Sequence, residues 1–131
     1  MRLKKLLITT VLAILAFLAV PSVARAEAGT DGTYSIHLTP DAKTEQYGGK
    51  AFDESFMFEG AEVTMEVFSP MGFSPSTAAY DAVTGYFNVT MTSLSRGTLV
   101  WSVKFVNNKA LGNLVWTRET GEIWKFSFVQ N

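Results

Sequence analysis

His37 is the only histidine among the 131 residues, and cysteine is absent altogether. A histidine becomes catalytic when it stands between an activated hydroxyl and an orienting carboxylate. On an extended chain Ser35 and Thr39 share its face, because side chains two apart point the same way. That spacing permits a hydrogen bond and no more, and a lone strand histidine reads as a solvated surface residue. One histidine without cysteine cannot build a structural zinc site. Asp53, Glu54, Glu59, Glu62 and Glu66 gather oxygen ligands of the kind that suit calcium, but their spacing fits no calcium loop. The plainer reading is a solvated hairpin whose charges discourage edge-to-edge pairing. These residues name no catalytic group, metal or cofactor, and the expectation is a protein that is not an enzyme.

Beyond residue 26 the chain still carries nine phenylalanines, three tryptophans and four tyrosines, and binding takes two forms from there. In the first, a small apolar molecule enters the mouth of a barrel lined by Tyr34, Trp101, Trp116, Trp124 and Phe126. The same rings would otherwise fill the interior, and Met65 and Met91 serve equally as gap-fillers or pocket walls. In the second, a packed scaffold recognises a protein partner through the 69–75 loop, where Pro70 and Pro75 hold out Met71 and Phe73. The competing possibility is that this loop folds back and plugs one end.

The elements that must position these side chains read as strands, since the apolar period is two and turn residues interrupt it at short intervals. The expected strands are 33–39, 54–58, 62–68, 77–81, 86–94, 98–106, 110–117 and 122–129, with 41–53 a polar loop holding at most one helical turn. Ser69 to Pro75 cannot be a central strand, because its prolines remove ladder donors. Most connections are of two to five residues, which forces antiparallel neighbours. An eight-stranded meander left open would expose an aromatic face and two edges, so closure into a small up-and-down barrel is expected, with a two-layer sandwich as the alternative. Val100, Val106, Val115 and Val129 fall on the outer side.

Asp31-Gly32-Thr33-Tyr34, opening the first strand, resembles the Gly-x-Trp opening of lipocalins, fatty-acid-binding proteins and avidins, with tyrosine in the tryptophan position. Arg118, just after Trp116-Thr117, is similar to the arginine that lipocalins pack over that tryptophan. The resemblance implies a calycin-type barrel and a general capacity to bind something apolar; it brings no biotin or fatty-acid site with it.

The N-terminus reads as a cleavable export signal: Arg2, Lys4 and Lys5, then an uncharged apolar run from Leu6 to Val20, then Pro21 and Ala24-Arg25-Ala26. The apolar run falls short of the roughly 20 residues that span a bilayer, so residues 1–26 are expected to leave and 27–131 to form one domain without a stable membrane anchor. Four of the 11 basic residues lie in that leader and none of the 12 acidic ones, which leaves a net charge of about −5. Nucleic acid is therefore not an expected partner, because the remaining cations are few and scattered. A cysteine-free exported chain must hold itself together by packing; the periplasm of a Gram-negative cell or the medium is its expected place.

Overall fold

Tyr34, Ile36 and Leu38 alternate with Ser35, His37 and Thr39, and the computed structural model, which describes residues 31–131, shows the barrel that such alternation builds. The elements are β1 (Gly32–Pro40), a one-turn helix α1 (Ala42–Gln46), β2 (Phe52–Glu59), β3 (Glu62–Met65), a 3-10 turn (Ser69–Met71), β4 (Ser76–Thr77), β5 (Ala79–Tyr80), β6 (Phe87–Ser93), β7 (Gly97–Val106), β8 (Lys109–Thr117) and β9 (Ile123–Gln130). The expected leader, 1–26, lies outside the described residues.

All nine strands form one antiparallel sheet in the order β4-β3-β2-β1-β9-β8-β7-β6-β5. Hydrogen bonding between β1 and β9, the first and last strands, joins the two halves of the meander. β4 and β5 are halves of one short segment broken at the buried Ala78; β4 pairs with β3 and β5 with β6. The fourth strand expected from the sequence is this segment. The sheet thereby becomes a nearly closed up-and-down barrel, consistent at the coarse level of architecture with a calycin-type fold, and the sandwich alternative falls away.

The register defines two ends. At the first lie the start of β1, the Glu59-Gly60 turn, residues 81–86 and the Asn107-Asn108 hairpin turn, where both asparagines adopt the left-handed conformation that a tight hairpin requires. At the second lie α1, the 3-10 turn, the Ser93–Gly97 turn and the Arg118–Gly121 turn. Asp41 caps α1 by accepting a hydrogen bond from the Thr44 amide at 2.8 Å, and the buried Thr44 hydroxyl accepts one from the Lys125 amide at 2.7 Å, pinning the helix to β9.

One difference from the sequence reading matters. The strand expected over 62–68 stops at Met65, and Val67 turns outward while Phe68 turns into the barrel. The cause is Glu54, described below.

Candidate functional site

The inward halves of the strands fill the barrel with rings in contact. Tyr80, Phe87, Phe58, Phe56, Phe128, Trp101, Phe68, Trp116 and Trp124 form an unbroken path, each centroid at most 6.3 Å from the next, from one end to the other. Most meet edge to face, the arrangement that the ring quadrupole favours. Trp101 is wholly buried at the centre, and Met65 and Met91 are buried as gap-fillers.

The five aromatics expected to line one mouth do not converge. Tyr34 is half-buried at the first end against Phe56, Phe58 and Phe105, and its hydroxyl pKa is raised by burial and then by Asp31. Trp101 lies in the middle. Trp116, Trp124 and Phe126 belong to the second end. Inward orientation was read correctly from the period of two, but that period carries no information on height along the barrel axis.

The loop residues take the plug arrangement of the two open to them. Phe73 is 2% exposed, and Met71 is half-buried against the core. Phe73 packs edge to face against Phe68 and Trp116 instead of standing out, so the 66–75 segment folds back as a plug. The physical reason is the apolar area of the ring, whose burial is worth roughly 1.5–3 kcal/mol. The Ser93 hydroxyl donates to the Met71 carbonyl at 2.8 Å and fastens the plug to β6. Gly72 ends the 3-10 turn at φ 94°, and a Cβ there would stand 2.9 Å from that hydroxyl.

Glu54 latches the other side of the plug. It is 2% exposed, in phase with Phe56 and Phe58 rather than on the solvated face of its hairpin. Its carboxylate accepts from the amides of Ser55 at 2.7 Å, Val67 at 2.8 Å and Phe68 at 3.1 Å. After the Glu66 amide donates to the Ser55 carbonyl, the β2–β3 ladder ends and the carboxylate takes up the next two amides. Burial raises the Glu54 carboxyl above its ordinary 4.5, against the lowering influence of these amides. The signal was present in the sequence: a glutamate two residues before Phe56 shares its face.

Outside the wall, Ser35, Asp53, Glu54, Ser55, Glu66, Val67 and Asn131 line a polar cleft of about 390 Å³. His37 Nδ1 pairs with Asp53 Oδ1 at 2.8 Å across the β1–β2 register. That hydrogen bond, then one from Asn131, holds the Asp53 carboxyl below its ordinary value. The Ser35 hydroxyl lies 3.4 Å from that of Ser55, and neither Ser35 nor Thr39 is hydrogen-bonded to His37. Among the described residues no group of three His, Cys, Asp or Glu side chains could hold a metal ion.

Arg118 lies at the opposite end from Tyr34 and does not cover it, in contrast to the lipocalin arrangement. Its guanidinium carbon stands 4.2 Å from the Trp124 ring centroid and 4.9 Å from that of Trp116. Both indole N–H groups are engaged, Trp116 with the Arg96 carbonyl at 2.8 Å and Trp124 with the Glu122 carboxylate at 2.9 Å. The Ser93–Gly97 turn adjoins this group: at Gly97, φ 97°, a Cβ would fall 2.0 Å from the Thr117 carbonyl oxygen and 3.0 Å from the Arg118 Cα. Leu94, on the same turn, is fully exposed. Plug, turn and Arg118 cluster are thus consecutive parts of one rim.

Compared with protein-family models, curated proteins and solved structures, the chain matches none of the three.

Proposed function

We propose that this domain is an exported, packed calycin-like scaffold that recognises a protein partner through the rim of its second end. The observation that carries the reading is the fully exposed Leu94, next in sequence to the Ser93 that is bonded to the carbonyl of half-buried Met71, at a plug whose rings occupy the space that an apolar ligand would need. A fully exposed leucine on a turn fastened to a rigid wall suits a contact surface, since exposed apolar groups on ordered loops mark recognition sites. The small-ligand reading draws its support from the wealth of interior rings, and those rings are already in contact with one another.

Two outcomes are expected. A hydrophobic fluorescent dye should show no saturable enhancement with the folded domain. A photo-crosslinking residue at position 94 should yield a discrete adduct in the exported fraction of the host, whereas one at the equally exposed position 83, at the other end, should not. Combining Met71→Asp with a crosslinker on the neighbouring Ser95 should remove the adduct without changing the unfolding midpoint by more than a few degrees. Saturable dye binding, or an adduct from position 83 alone, would sink the proposal.

A further inference from the structure

Arg118 is a cation fixed in place without an anion. Two indole faces hold its guanidinium, yet among the described residues no carboxylate lies within ion-pair distance of it, and its Nε is buried without a protein acceptor. The acids closest in sequence are accounted for: Glu122 is bound to the Trp124 indole, and Glu119 is exposed on the turn. The buried Nε is out of a ligand's reach, so whatever meets this arginine from outside meets its terminal N–H groups. A guanidinium held over ring faces can still offer its terminal pair of N–H groups, whose geometry matches the two oxygens of a carboxylate. Arg96, exposed on the adjoining turn, adds a second positive charge to the same rim of a domain that is otherwise net acidic.

We infer that Arg118 is a carboxylate-binding site, and that on the rim reading above it receives an aspartate, a glutamate or a chain-terminal carboxylate of the protein partner, beside an apolar side chain seated at Leu94 and Met71. Binding there replaces water on the guanidinium edge without reorganising the arginine, since Trp116 and Trp124 already hold it. The indole rings also make the site its own reporter.

The experiment titrates the folded domain with sodium acetate, against sodium chloride at equal ionic strength, and follows the Arg118 Nε–H and Trp124 indole N–H resonances. Acetate should shift both saturably in the range of tens of millimolar, and chloride should not. Arg118→Lys, which keeps the charge and loses the fork, should weaken acetate binding roughly tenfold while dichroism stays unchanged. If that variant is poorly folded, the acetate and chloride arms on the unaltered domain decide the matter alone. Absence of a saturable acetate shift, an equal shift in folded Arg118→Lys, or tighter binding of inorganic phosphate than of acetate would each overturn the carboxylate assignment. The titration contains no partner, so its failure is distinct from loss of the position-94 crosslink.

Discussion

Trp101→Ala should cost about 3–5 kcal/mol of stability, the usual consequence of emptying a large aromatic site in a close-packed core. The ring is wholly buried and joins the two halves of the aromatic path, touching Phe68 of the plug and Phe128 of β9 with centroids 5.8 Å away in each case. Since domains of this size are stable by only about 5–15 kcal/mol, the variant should be partly unfolded at physiological temperature. Trp101→Phe should cost much less. It leaves a smaller void and removes an indole N–H that is buried without a hydrogen-bond partner. Urea unfolding of the three proteins, read by far-ultraviolet dichroism, makes the comparison; a loss under about 1 kcal/mol for the alanine variant would mean that the barrel interior is not packed around this ring.

The second large effect concerns Glu54. Glu54→Ala strips the acceptor from the Val67 and Phe68 amides where the ladder has already ended, and an orphaned buried amide costs about 1–3 kcal/mol. With these two amides and that of Ser55 affected, a loss of roughly 2–5 kcal/mol is expected, and the plug, with Phe68 and Phe73, should loosen first. Glu54→Gln keeps one carbonyl acceptor and removes the charge, so its cost should depend on pH. The sign follows from the raised carboxyl: the folded state holds the proton more tightly than the unfolded chain, whose value is near 4.5. That contribution to stability is complete below 4.5 and disappears as pH rises through the folded value. Glu54→Gln should therefore compare better with the unaltered protein at pH 7 than at pH 4. Asp41, Asp53 and Asp81 run the other way, their carboxyls being lowered by hydrogen bonds from Thr44, His37 and Val83 respectively, so their contributions vanish as pH falls below the ordinary value of 3.8. An unchanged gap between the Gln variant and the unaltered protein from pH 4 to pH 7 would refute the raised Glu54 carboxyl, and a loss under about 1 kcal/mol in Glu54→Ala would refute the latch.

Strand existence and inward faces were legible because alternation is a local property: Leu99, Trp101 and Val103 had to share a side wherever β7 went. Closure was legible from the number and brevity of the connections. What was not legible depends on contacts between segments distant in sequence. β3 was expected to run on to Phe68 because its alternation continues; it stops because a carboxylate eleven residues before Met65 intercepts the next amides. Phe73 between two prolines fits a displayed side chain and a plug alike from sequence, and only the position of Trp116 and Phe68 decides between them. Arg118 was associated with the opening tyrosine through resemblance, whereas its nearest aromatic partner in sequence, Trp116, was two residues away.

The pairing of β1 with β9 has a bearing on how the chain reaches its native state. Every long strand lies beside a sequence neighbour, β1 beside β2 included, so hairpins can form as soon as their residues exist, but the second edge of β1 must wait for residues about ninety positions later. Such a distant ladder puts slow loop closure near the end of folding. Until Phe126 and Phe128 arrive, Leu38 and Ile36 present an unsatisfied edge, and a nascent chain truncated before β9 should be a ready client for chaperones rather than a smaller barrel.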